Sequence, residues 1–253
     1  MLVDYHIHGL AHGTASHSPA LLNDFVLNAE KRGVVEMGFA EHDDYLHEIN
    51  WANLKELSLR VNGLKIRVGL EVEYLPGQER GTAARLAAFP FDYLIGSVHQ
   101  IDGWMFDHPD YQEGYSRWDI DVLYHTYFDL LIKAVQSGLF DIIGHLDLIK
   151  VFGYRASFPV EKAITPLLTA IKQKGMVVEI NTNGLNKPVG EIYPHPSILE
   201  RCYQFNIPIT LGSDAHQPDA VGRQLDLARE LAIKTGYRRL VCFSRRKKYF
   251  RPL

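Results

Sequence analysis

Short apolar runs that end in histidine or a carboxylate recur along this chain. The first, Leu2 to His8, sets Leu2, Val3, Tyr5 and Ile7 around His6 and His8, the composition of a strand. Leu21, Leu22, Phe25, Val26 and Ala29 then recur at helical spacing from Pro19 to about Arg32, and Gly33 ends the pattern. The same alternation repeats. Strands are expected at Val34–Ala40, Lys65–Tyr74, Tyr93–Ser97, Asp141–Gly144, Met176–Ile180 and Ile207–Leu211. Helices are expected at about Asn50–Asn62, Glu79–Ala88, Asp119–Ser137, Pro159–Gly175, Pro196–Phe205 and Pro218–Lys234. A last strand-like piece, Arg239–Phe243, precedes a basic tail, Arg245–Arg251, expected to be a solvated terminus.

Seven strand–helix units without a linker predict one domain over residues 1–253, an α/β parallel barrel. Its active site belongs at the C-terminal ends of the strands. His6 and His8, His42, Glu71, His99, His145, Asp214 and His216 all fall at or near such ends. In a strand, residues two apart share a face, so His6 and His8 aim two imidazoles at one point.

Composition narrows the setting. The chain is 46% hydrophobic with a formal net charge of -3, which does not suggest a general polyanion binder. No run of about 18 apolar residues or signal peptide is visible, so no membrane partner is expected. Two cysteines, Cys202 and Cys242, form no framework, consistent with a reduced, cytoplasmic protein. Nucleic acid is not expected as a partner, and the residues specify no oligomeric state.

The histidines carry the chemistry. Imidazole nitrogen and carboxylate oxygen suit Zn, Fe(II) or Mn(II). With the loop residue His17 added, the candidate ligands are His6, His8, His17, His42, Glu71, His99, His145, Asp214 and His216. That set exceeds one ion and fits about three, with one carboxylate bridging. A site so positive matches a phosphate group.

His6-x-His8, Glu41-His42, Gly69-Leu-Glu71, Phe91 to His99, Ile143-Gly-His145-Leu-Asp147, Asn181 to Leu185 and Gly212-Ser-Asp214-Ala-His216 together resemble the PHP (polymerase and histidinol phosphatase) superfamily. Asp107-His-Pro109 and Phe152-Gly-Tyr-Arg155 favour its monofunctional histidinol-phosphate phosphatase branch. The resemblance covers nearly the whole chain and implies a distorted (β/α)7 barrel with a trinuclear site. It implies one ion on His6, His8, Glu71 and Asp214, a second on Glu71, His99 and His145, and a third on His17, His42 and His216. The loop after His8 is longer than the family pattern and offers His12 beside His17; the spacing of His17 to His42 is the more family-like.

The implied reaction is hydrolysis of L-histidinol phosphate to L-histidinol and phosphate by a metal-bound hydroxide. Glu71, Asp214 and Arg155 would be the catalytic residues, with Arg155, Lys187 and His108 contacting substrate. Lys187 stands where the resemblance would place arginine, and the sequence names no proton donor. Another small phosphomonoester and a non-catalytic metal-binding module are the alternatives. Glu73, two residues from Glu71 on the same face, is expected as a support or buried ion pair rather than a ligand.

Overall fold

A computed structural model describes residues 1–253. In chain order, β1 (Leu2–Ile7), α1 (Pro19–Lys31), β2 (Val34–His42), α2 (Trp51–Arg60), β3 (Lys65–Glu73), α3 (Glu79–Leu86) and β4 (Tyr93–Ser97) alternate as the apolar periodicity predicts. A small hairpin of β5 (Gln100–Ile101) and β6 (Trp104–Met105) follows, then α4 (Ile120–Ser137). The second half holds β7 (Ile142–Ile143), α5 (Val160–Ala163), α6 (Thr165–Lys174), β8 (Val177–Asn181), α7 (Pro196–Gln204), β9 (Ile209–Gly212) and α8 (Leu225–Thr235). β10 (Arg239–Ser244) and β11 (Lys247–Pro252) end the chain.

Seven strands pair in parallel in the order β1-β2-β3-β4-β7-β8-β9. The sheet curls until β1 meets the exit of β9, where His8 N–H donates to Ala215 O at 2.7 Å and Ala215 N–H to His6 O at 3.2 Å. The result is a nearly closed barrel with helices outside. Register sets the site: His42 of β2 lies directly beside Glu71 of β3. The long helix α4 starts where Asp119 accepts from the amides of Asp121 and Val122, and stops at Gly138, whose φ of 69° is left-handed.

Three expectations need correction. The helix expected from Pro159 breaks at Ile164 into α5 and α6, beside Pro166, which lacks a donor. The helix expected from Pro218 begins only at Leu225, because Gly222 (φ 69°) and Gln224 (φ 61°) take left-handed turns. The basic tail is not loose: β11 pairs antiparallel with β10 through a two-residue turn, Arg245-Arg246, both at positive φ. That hairpin packs under the barrel, at the strands' N-terminal ends. There Phe243 N–H donates to the Tyr5 hydroxyl at 2.8 Å, and the fully buried Glu36 accepts from Tyr5, Arg67 and Arg251. No helix is long and apolar enough to cross a membrane.

Candidate metal centre

The barrel brings the predicted residues to one rim around Glu71. Its Oε2 lies 3.2 Å from His6 Nε2, 3.0 Å from His42 Nδ1 and 3.5 Å from His8 Nε2. Its Oε1 lies 3.0 Å from His145 Nε2 and 3.4 Å from His99 Nε2. Asp214 Oδ1 is 3.3 Å from His8 Nε2, 3.6 Å from His216 Nδ1 and 3.9 Å from His6 Nε2. Three groups have ligand atoms close enough to share an ion: His6, His8 and Glu71; Glu71, His99 and His145; and His8, His42 and His216.

The chemistry of the donor set fits a metal. His6 Nε2, both nitrogens of His8, His42 Nε2, His145 Nδ1 and His216 Nε2 are buried without a protein hydrogen-bond partner. So many orphaned imidazole nitrogens would be costly in a purely structural cluster. Asp214 holds φ at 52°, a strained backbone for a residue that is not glycine.

Supporting groups orient these rings, as ligand histidines require. His6 Nδ1 lies 2.7 Å from Glu179 Oε1, whose other oxygen accepts from His145 N–H at 3.0 Å. His99 Nδ1 lies 2.7 Å from Glu73 Oε2, the supporting place expected for Glu73. Ser97 Oγ donates to Glu71 at 2.6 Å, and Asn183 Nδ2 to Asp214 at 3.1 Å. Burial opposes charge throughout, but neighbours decide the outcome. The rings of His6, His99 and His42 hold the Glu71 carboxyl well below its usual range. Carboxylates hold His6 and His99 well above theirs. His8 and His216, buried among other rings, are pushed down.

One predicted ligand sits elsewhere. His17 Nε2 lies 2.9 Å from Glu41 Oε1, and its Nδ1 accepts from Asn50 N–H at 3.3 Å, so both nitrogens are engaged away from the cluster. Glu41 also accepts from the amides of Gly9 and Leu10, so the pair clamps the loop after β1. The same loop carries His12, at φ 55°, over the rim: its ring stacks on His216 at 4.3 Å and His42 at 5.0 Å between centroids. Burial and those rings push the His12 imidazole down to about 4, leaving it neutral at pH 7. Sequence spacing favoured His17, but left-handed turns at Ala11, His12 and Gly13 fold the loop back so that His12, not His17, faces the cluster.

A cavity of about 600 Å³ opens over the cluster, and Lys187 and His108 line it. Arg155 does not. Its guanidinium grips Glu191 with two hydrogen bonds, 2.6 and 3.1 Å, beside a smaller cavity that Lys150 and Asp147 also line. Asp107 lines the main cavity, its carboxyl pushed up by burial. Sequence reasoning missed Glu179 and Tyr193. Glu179 had a signal, a lone carboxylate in the apolar strand Val177–Asn181.

Known proteins are similar to this chain in sequence and fold. Residues 4–183 match the family model described as PHP domain. A protein of Deinococcus radiodurans named "probable histidinol-phosphatase" is 36% identical, over 97% of this chain and 98% of its own. The histidinol-phosphatase of Bacillus subtilis is 31% identical over 74% of this chain and 75% of its own. The crystal structure of histidinol phosphate phosphatase from Lactococcus lactis, in complex with zinc, L-histidinol and phosphate, superposes with a TM-score of 0.79. It is 25% identical and covers 98% of both chains. With the matched stretch, a relative 36% identical over nearly the full length and the same barrel in agreement, the chain belongs to the PHP domain family.

Proposed function

We propose that this chain is a metal-dependent phosphomonoester hydrolase that converts L-histidinol phosphate and water to L-histidinol and phosphate. The observation that carries the reading is the polarity of the cavity. The exits of β8 and β9 contribute Asn183, Lys187 and Asp214, beside the histidine cluster. The arc around β2 and β3, across the barrel in strand order, contributes Asp44, beside Asp43, which is paired with Arg85, and Glu73, which is held by His99. An ester with an anionic head and a cationic leaving group fits such a cavity. L-Histidinol, carrying an ammonium and an imidazole, is a leaving group of that kind, and the Lactococcus lactis relative is complexed with it.

His6, His8, Glu71 and Asp214 would hold one ion, and Glu71, His99 and His145 a second. The third would sit on His42 and His216 with His12 in the place first given to His17. Bound ions supply Lewis acidity and an activated water for in-line displacement at phosphorus. Glu71 ties two of these positions together, and its depressed carboxyl is ionised at working pH. Lys187 offers a charge-assisted donor to the phosphate, and His108 a ring to the organic portion. Arg155, paired with Glu191 outside the main cavity, would have to leave that partner to contact the phosphate.

The test is kcat/KM of metal-loaded wild type and Arg155→Ala on L-histidinol phosphate, sugar phosphates and nucleotides. A preference for L-histidinol phosphate of about 100-fold or more is expected, with at least about a tenfold loss in the variant. Equal rates across the panel would reject the substrate; an unchanged variant would remove Arg155 from the site.

A further inference from the structure

The buried tyrosines of this protein use their hydroxyls. Tyr5 donates to Glu36 at 2.7 Å, Tyr93 to Tyr5 O at 2.7 Å, Tyr115 to Ile149 O at 2.9 Å and Tyr127 to His145 O at 3.3 Å. Tyr193 differs. It is 1% exposed, its hydroxyl is buried without a protein partner, and it lines the cavity over the histidine cluster. A phenylalanine would fill the same volume without burying an unpaired hydroxyl.

The ring is held firmly. Tyr193 and Asn181 exchange backbone hydrogen bonds of 2.7 and 2.9 Å, strapping the segment to the exit of β8. Gly184 lets the ring lie against bare backbone: a Cβ there would fall 2.7 Å from Cε2 and 2.8 Å from Cζ. Lys150 Nζ sits 5.2 Å from the ring centroid and is itself fixed by Asp147 at 2.9 Å, Glu191 at 3.2 Å and Ile192 O at 2.9 Å. A cation over the ring face draws electron density from the phenol and makes its proton a better donor. Burial, with the carboxylates of Asp147, Asp214 and Asp107 nearby, raises the phenol's pKa, so the group stays protonated. Lys187 and Asn183 belong to the same β8 exit and line the same cavity, which makes this arc a wall of donors.

We propose that the Tyr193 hydroxyl is a substrate contact that donates its hydrogen bond to an oxygen of the phosphate group seated beside the histidine cluster. The inference rests on the phosphate-ester reading only in its choice of occupant. Lys150 is then a positioning residue, holding the ring through its face.

Tyr193→Phe tests this on the full, metal-loaded chain. Inorganic phosphate is titrated calorimetrically into both proteins, with bound metal and Tm measured alongside. The expected result is a Kd for phosphate raised at least about fivefold, with metal content unchanged and Tm unchanged or higher. An equal Kd overturns the proposal, as does wild type that binds no phosphate. A fall in Tm or in bound metal also overturns it, because the hydroxyl would then have a structural partner. Wild type that binds phosphate but leaves L-histidinol phosphate intact would reject the substrate reading and leave this contact standing.

Discussion

At the scale of residues, the centre follows from strand geometry. His6 and His8 share a face of β1, and register sets His42 beside Glu71, so these candidate ligands were legible once polar residues recurred at the strand exits. The third position was not, because His12 and His17 lie on an irregular loop where periodicity carries no direction. Their substitutions should separate cleanly. His12→Ala should lower bound metal by about one ion per chain and leave Tm nearly unchanged. His17→Ala breaks the Glu41 clamp and should cost about 1–3 kcal/mol of stability with metal content intact. Metal analysis with thermal melts checks both, and the reverse pattern would return His17 to the site. The raised pKa values of His6 and His99 give a second prediction. A ligand ring must be neutral, so metal binding competes with the protons that the neighbouring carboxylates favour on these rings. Metal affinity should therefore rise with pH, and metal loading should release protons. Calorimetry in buffers of different ionisation enthalpy reads that release; its absence would contradict the charge assignment.

At the scale of elements, the strands were legible because each is an apolar run closing on a polar exit. What failed was where the backbone turns left-handed or a proline interrupts, as before α8 and between α5 and α6. The tail failed for another reason. Its charges concealed Tyr249, which packs on the core, and read as a solvated end rather than a strand. The barrel interior also depends on absent side chains. Tyr93 fills it because Gly38 and Gly69 have none: a Cβ at Gly69 would lie 2.4 Å from the Tyr93 ring, and one at Gly38 2.1 Å from its hydroxyl oxygen. Gly69→Ala should thus lower stability by roughly 1–3 kcal/mol, read as the urea midpoint. An unchanged midpoint would mean that the ring is not fixed there.

At the scale of the whole molecule, seven strands gather candidate ligands from six of their exits around Glu71, and a hairpin seals the opposite end. The fold class was legible because repeated strand–helix units admit few topologies. The position of Arg155 was not, since its partner Glu191 lies on a different loop and only folding brings them together. The most direct test of the central claim is phosphate release from L-histidinol phosphate by chelator-stripped protein as divalent metal is titrated back. Activity should be absent when stripped and should return as about three ions per chain bind, reaching a kcat/KM of about 10⁴ M⁻¹s⁻¹ or more. A protein that binds its metals at this rim and releases no phosphate would contradict the account.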